Sequence, residues 1–224
     1  MHHKCKMNLK VNQLNKLFFP DIVYRFPENE KNIYLTFDDG PTPGITSQVL
    51  AFLLEYNVKA TFFCRGDKVK QHPHLYKKIT EGGHITGNHG YSHLHGWYTP
   101  FEIYLNDCKK ASEVIKNQIF RPPYGKLTPK QYQSLKSDFS IYLWSALSWD
   151  FHPWVSPKMC LWYSLKYLLP GNIIVFHDTS KASSKLLYTL PRFIEAGISK
   201  GYQFSSLPVN IKNDREDTAV CEDS

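Results

Sequence analysis

The sequence predicts an α/β fold, a mainly parallel β-sheet covered by helices. Three observations lead there. Apolar, β-rich runs alternate with amphipathic helical stretches along most of the chain, the pattern of strand–helix–strand units. Clusters of chemistry-bearing residues follow successive strands at their C-terminal ends, where barrel folds carry their sites. The length of 224 residues suits one domain with a full core, against a usual ~100–200 residues per domain. Alternation alone fits an open doubly wound sheet and a closed barrel equally.

Ile33–Phe37 reads as the first strand, ended by Asp38-Asp39-Gly40-Pro41. Ile45–Tyr56 reads as a helix, because Val49, Phe52, Leu53 and Tyr56 recur on one helical face. Ala60–Cys64 is a second strand, and Asp67–Glu81 a helix with a bend expected at Pro73 and a stop at Gly82-Gly83. His84–Asn88 is a third strand, Pro100–Gln118 a long helix and Ile119–Arg121 a short strand. Thr128–Lys136 is a helix with Thr128 as N-cap and Pro129 at its first position. Ser140–Ser145 is expected as one strand, then Ser156–Leu169 as a helix, Asn172–Phe176 as a strand, Lys185–Ala196 as a helix and Tyr202–Ser205 as the last strand. Neither an internal repeat nor a low-complexity tract interrupts this order.

Composition is that of a globular protein, 42% hydrophobic and 21% charged. Aromatic content is high at 15%, which serves a core and can also line a groove for sugar rings. The net charge of +7 comes from Lys and Arg scattered along helices, without the basic stripe or motif spacing of a nucleic-acid binder. Five cysteines, Cys5, Cys64, Cys108, Cys160 and Cys221, are odd in number and form no metal or redox spacing, so free thiols are expected, with Cys64 in the core. The basic start, Met1 to Met7, is followed by no apolar h-region, and no membrane span is visible. This predicts a cytoplasmic place, or an extracytoplasmic one if the sequence is a truncated piece of an exported protein. Residues 1–30 are read as an N-terminal extension, 31–208 as the domain, and 209–224 as an acidic, disordered tail.

Five clusters carry chemistry. Asp38 and Asp39 are adjacent, so on an extended chain they point apart, and a turn is needed for both to serve one site. Gly40-Pro41 can supply it, and a cation would relieve the carboxylate repulsion. An Asx turn capping the following helix is the plainer reading. His89 and His93 form H-x-x-x-H, which brings both imidazoles to one face if Gly90–His93 is a helical turn. Two imidazoles and a carboxylate suit a divalent metal with open positions. Arg121 precedes Pro122-Pro123, a stiff loop that can aim it at a carboxylate, while Gly125 permits a turn after Tyr124. Asp150-Phe151 and His177-Asp178 complete the set, with His177 at the mouth of the sheet or simply a structural histidine.

In order and spacing, T-F-D-D-G-P, His89-Gly90-Tyr91-Ser92-His93, Arg121-Pro122-Pro123-Tyr124-Gly125, Asp150-Phe151 and Val175-Phe176-His177 resemble the motifs of the polysaccharide deacetylases of the NodB-homology type, carbohydrate esterase family 4. The resemblance runs from Ile33 to Ser206 and implies a distorted, incomplete (β/α) barrel. It implies Asp39, His89 and His93 as ligands of one divalent metal, zinc first and cobalt, nickel or manganese as alternatives. It further implies Asp38 as general base, His177 as general acid, Arg121 as partner of Asp38, Asp150 as partner of His177, and the backbone N–H of Tyr124 as oxyanion donor. Phe151 and Tyr124 would line the substrate groove. The implied activity is hydrolysis of the N-acetyl group of an N-acetylglucosamine-type unit in an oligo- or polysaccharide, chitooligosaccharide or peptidoglycan-like. An O-acetyl esterase on a polymer such as xylan and a non-catalytic sugar-binding module are the alternatives. A phosphoesterase or glycosyltransferase built on Asp38-Asp39 lacks a phosphate-cradling glycine-rich loop. Three positions depart from the family pattern. Leu147 stands where an aspartate is frequent and Phe151 where a tryptophan is. Gly90 also replaces a frequent hydroxyl residue, which removes one expected hydrogen bond.

Overall fold

A computed structural model describes residues 18–28 and 31–209. The acidic tail and most of the N-terminal extension lie outside these residues. The elements are β1 (Asn32–Asp38), α1 (Ile45–Glu55), β2 (Thr61–Cys64), α2 (Gly66–Gln71), α3 (Pro73–Glu81), β3 (Ile85–Asn88), α4 (Phe101–Ser112), β4 (Ile119–Phe120), a 3₁₀ turn (Pro123–Gly125), α5 (Pro129–Leu135), β5 (Ser140–Ile141), β6 (Ala146–Leu147), α6 (Pro157–Lys166), β7 (Ile173–His177), α7 (Ser183–Ser199) and β8 (Gln203–Ser205).

All strand pairs are parallel, in the order β5-β4-β3-β2-β1-β7-β6, with β8 on the first half of β1. β5 and β6 occupy opposite edges, yet only Tyr142–Ser145 separates them in the chain. A flat sheet of seven strands would set its edges about 29 Å apart, at the usual inter-strand spacing. The five peptide steps from Ile141 to Ala146 reach at most about 18 Å. The sheet must therefore curl until its edges approach, which makes it the incomplete barrel expected from the sequence. The connecting chain bonds to both edges: Tyr142 N–H donates to Phe120 O at 2.9 Å and Ser145 N–H to Ile173 O at 3.1 Å. Val23 lies between, donating to Ile141 O and accepting from Leu143 N–H.

This corrects the single strand expected over Ser140–Ser145, whose two ends belong to different edges. The helix expected over Asp67–Glu81 is two helices. Pro73 opens α3, and His72 before it takes the non-helical φ −130°, ψ 56°, outside the α region that a following proline disfavours. The helix expected over Pro100–Gln118 stops at Ser112, and Asn117 then donates to Thr86 O at 3.0 Å, tying the chain to β3. At α5 the expected cap is present: the Thr128 hydroxyl accepts from Gln131 N–H while the Gln131 side chain accepts from Thr128 N–H.

Strand alternation sorts the side chains. Ile33, Leu35 and Phe37 of β1, Phe62 of β2 and Ile174 and Phe176 of β7 pack outward against α1 and α7, on Val49, Leu53, Leu190 and Phe193. The other register of β1 and β7, namely Thr36, Asp38, Ile173 and His177, turns into the barrel, beside Phe63 and Tyr142. Cys64, Cys108 and Cys160 are free and buried, as expected for these three, while Cys5 and Cys221 lie outside the described residues. No helix of the described residues is long and apolar enough to cross a membrane.

The chain entering β1 is clamped at Gly171, which exchanges hydrogen bonds with Phe26 N–H and Asn32 O. Gly171 has φ +75°, and a Cβ there would come 2.2 Å from Phe26 O. Gly171→Ala is expected to destabilise the fold by about 1–3 kcal/mol, measured by urea unfolding, from left-handed strain plus this clash.

Candidate active site

Asp38 ends β1 and faces inward. Asp39 takes the left-handed φ 77°, a conformation aspartate tolerates better than most residues, and this reverses the chain so that both carboxylates serve one end of the sheet. The turn is thus made by Asp39 itself ahead of Gly40-Pro41. Neither aspartate caps α1, which carries no side-chain cap. Gly40 is required because a Cβ there would lie 2.0 Å from the buried Asp178 carboxylate. That carboxylate accepts from Thr46 Oγ1 at 2.5 Å, and burial together with Asp39 and Asp38 pushes it up to about 7.

Arg121 is fully buried inside the barrel. Its Nη1 donates to Asp38 Oδ1 at 2.7 Å and Thr36 Oγ1 at 2.8 Å, its Nη2 to Leu143 O at 2.9 Å, and its guanidinium lies 4.1 Å over the Phe63 ring. Desolvation lowers its pKa, but the Asp38 charge opposes this and a guanidinium stays protonated. Its backbone carbonyl accepts from His89 Nδ1 at 2.7 Å. That bond assigns the tautomer, leaving His89 Nε2 bare. Burial drives the His89 imidazole down to about 4, against the opposing pull of Asp38 and Asp39, so it is neutral and able to ligate.

Asp39 Oδ1 stands 3.6 Å from His89 Nε2 and 3.0 Å from His93 Nε2. Despite that closeness it is buried without hydrogen-bond geometry to any donor. Burial favours its neutral form, but the imidazoles of His93, His89 and His177 outweigh this and hold the carboxyl well below the usual range. One ligand atom from each of the three residues lies within 4.8 Å of the others. An orphaned, ionised carboxylate oxygen converging with two imidazole nitrogens fits a divalent cation.

The two histidines do not share a helical turn. Gly90 has φ +71° and His93 φ 60°, and an irregular loop brings the rings to 5.0 Å. What shapes this loop is Asp107 of α4, which sequence reading did not single out. Its Oδ2 accepts from Tyr91 N–H at 2.8 Å and its Oδ1 from Ser92 N–H at 3.0 Å. Gly90 suits the place, since a Cβ would meet Asp107 Oδ2 at 3.0 Å. Asn88 adds a further tie, its Oδ1 accepting from Gly90 N–H at 2.8 Å. Backbone bonds to Asp107 and Asn88 thus hold the loop where the hydroxyl of the family pattern is missing.

Across the site, His177 is the register partner of Asp38 on the adjoining strand. Asp150, fully buried, takes His177 Nδ1 at 2.8 Å on one oxygen and His177 N–H at 2.7 Å on the other. Burial favours neutral imidazole, but Asp150, with smaller contributions from Asp38 and Asp39, raises His177 to about 9. Phe151 sets its ring edge-on to His177 at 5.0 Å, so an aromatic wall persists there without the indole. Leu147 is part of β6, in register with Val175 of β7. Tyr124, in the 3₁₀ turn with φ 59°, is 56% exposed and lies 4.6 Å from the His93 ring.

Asp107→Ala is expected to weaken the affinity of this cluster for an added divalent metal by about 10–100-fold, the usual loss when a group supporting a ligand is removed, as read by chelator competition. Wild-type affinity in that variant would show that the loop holds His93 unaided.

Comparison with known proteins accords with this geometry. The family model described as polysaccharide deacetylase matches residues 26–138. A peptidoglycan-N-acetylglucosamine deacetylase of Bacillus cereus is 33% identical over 193 residues, covering 82% of this chain and 89% of that protein. A chitooligosaccharide deacetylase of Rhizobium leguminosarum bv. trifolii is 30% identical, covering 80% and 92%. A crystal structure of a peptidoglycan N-acetylglucosamine deacetylase with 4-naphthalen-1-yl-N-oxidanyl-benzamide superposes with a TM-score of 0.80 at 31% identity, covering 84% of this chain and 91% of that one. Fold, motif order and relatives agree, and the chain belongs to the polysaccharide deacetylase family, carbohydrate esterase family 4, hydrolases of carbon–nitrogen bonds other than peptide bonds.

Proposed function

We propose that the protein is a metal-dependent deacetylase that removes the N-acetyl group from an N-acetylglucosamine-type unit of an oligo- or polysaccharide. One observation carries this reading. A carboxylate held by an arginine and an imidazole held by a carboxylate stand on neighbouring strands, beside the Asp39–His89–His93 cluster. Binding a sugar requires neither an acid nor a base, and amide hydrolysis requires both.

Asp39, His89 and His93 would hold the ion, with zinc favoured by the mixed imidazole–carboxylate set. A divalent ion there supplies Lewis acidity, polarising the acyl carbonyl and acidifying a water. Asp38 takes the proton of the attacking water, on the oxygen that Arg121 leaves open. Arg121 holds that carboxylate fixed in direction through its 2.7 Å hydrogen bond to Oδ1. The N–H of Tyr124 donates to the developing oxyanion, worth roughly 3–4 kcal/mol in comparable sites. His177 passes a proton from Nε2 to the departing amine, while Asp150 grips Nδ1 and sets the tautomer. An amine leaves poorly as an anion, so this proton matters more for an amide than for an ester. The relatives' activities on peptidoglycan and chitooligosaccharide support an acetylated glucosamine polymer as the substrate class.

The two aspartates are expected to separate by substitution. Asp38→Asn keeps bound zinc and loses about 10²–10⁴-fold in acetate release, whereas Asp39→Asn loses the zinc itself. Full turnover by metal-loaded Asp38→Asn protein would remove Asp38 from the base role. The panel for this assay pairs N-acetylglucosamine oligomers with O-acetylated xylan, and release from the ester alone would reassign the protein as an esterase.

The pH profile follows from His177. Its imidazolium is the working form, so activity is present below its pKa and falls as pH rises through it. In the ion-free protein that point is about 9, and a bound dication would bring it lower. Asp150→Asn is expected to move the alkaline limb of kcat/KM toward the ordinary histidine value of about 6.5. An unmoved limb would show that His177 is not the titrating acid.

A further inference from the structure

We propose that Tyr98, with His95 and Tyr124 beneath it, forms a stacking platform for a sugar of the substrate chain several units beyond the one that reacts. This rests on the saccharide reading of the site above. From the ligand candidate His93 a column of rings leads outward: Tyr124 at 4.6 Å from His93, His95 at 5.0 Å from Tyr124, and Tyr98 at 4.3 Å from His95. The outer two contacts are near-parallel, with interplanar angles of 32° and 22°. Tyr98 ends the column 82% exposed, one face covered by His95 and the other open.

A singly exposed aromatic ring is ordinary on a protein surface. The backbone that carries this one is held in place. Tyr98 and Thr99 N–H groups both donate to His95 O, and Gln131 Nε2 donates to Gly96 O at 2.8 Å. Trp97, next to Tyr98, is bolted by its Nε1 donating to Leu127 O at 3.1 Å, with the Lys126 ammonium 4.2 Å over its ring. Gly96 permits the approach, since a Cβ would fall 2.1 Å from Lys126 O. A tyrosine side chain has few rotatable angles and so loses little entropy when a ligand covers it, which is how aromatic contact surfaces bind efficiently. The axial C–H face of a pyranose is the apolar surface that fits an open aromatic face, and continuity with Tyr124 puts its sugar on the same chain as the reacting unit. The rings on the His177 side differ. Trp162 and Tyr163 meet at 70° and Trp149 and Tyr163 at 51°, and the 32° contact of Trp149 with Phe151 is wider, at 5.8 Å, and leads to no stacked outer ring.

The test is calorimetric binding of fully N-acetylated glucosamine oligomers of two to five units to chelator-treated protein, with acetate release measured separately on the zinc-loaded form. Wild-type affinity is expected to rise with length. Tyr98→Ala is expected to lose roughly tenfold on the pentamer, the size of a good aromatic contact, and with it most of that rise. Tyr98→Phe should keep the rise, because the ring face and not the hydroxyl carries the contact, and Trp162→Ala should keep it as a control on the other side. Length-independent binding by wild type, or a pentamer bound as tightly by Tyr98→Ala, overturns the platform. Length-dependent binding lost in Tyr98→Ala, without acetate release on any metal, sinks the deacetylase reading and leaves the platform standing. Acetate release without any gain from length sinks the platform alone.

Discussion

The buried arginine inside the barrel is the interaction on which the site depends. Arg121 joins β1 through Thr36 and Asp38, the edge-crossing segment through Leu143 O, and the end of β3 through its own carbonyl and His89. A buried guanidinium is tolerated only when paired and hydrogen-bonded, and removing one partner from such a pair typically costs about 3–5 kcal/mol. The same contacts that satisfy this charge aim Asp38 and set the His89 tautomer. Stability and geometry therefore share one side chain, and the barrel interior is polar where a purely structural core would be apolar.

The second charged pair runs the other way. At Asp38 the cation is the fixed, permanently charged partner and the carboxylate the group left with an open oxygen. At His177 the carboxylate is the fixed partner and the imidazole the group that exchanges a proton. Two groups on adjoining strands thus have opposite partners, a permanent cation for the carboxylate and a carboxylate for the imidazole, an arrangement that fits the first for the base role and the second for the acid role. Backbone strain is concentrated at the same end of the sheet. Asp39, His93, Tyr124 and Trp149 all have positive φ without being glycine, and each is a site residue or packs beside one.

Much of this was legible in the sequence, for identifiable reasons. Period-two alternation in Ile33–Asp38 put Asp38 on the face opposite Leu35 and Phe37, and the structure keeps it there. The N-cap at Thr128 and the stop at Gly82-Gly83 are local signals, and both elements appear where those signals lie. What escaped depends on contacts distant in the chain. Ser140–Ser145 looks like one strand because nothing in six residues says that its halves bond to opposite edges. Asp107 looks like a solvent-facing helix residue until the loop after β3 folds back onto it. The helical turn expected at His89–His93 fails because the loop instead follows the carboxylate of Asp107.

The segment between β5 and β6 has one more consequence. A curled sheet that stops short of closing leaves two free margins, and free margins recruit foreign strands. Here each margin is a ladder two residues long, β5 at one side and β6 at the other, and the chain leaves one only to enter the other. An approaching extended peptide would find no row of vacant amides to copy. The crossing therefore guards against aggregation as well as shaping the mouth of the barrel, and insertions there would endanger solubility before they endangered chemistry.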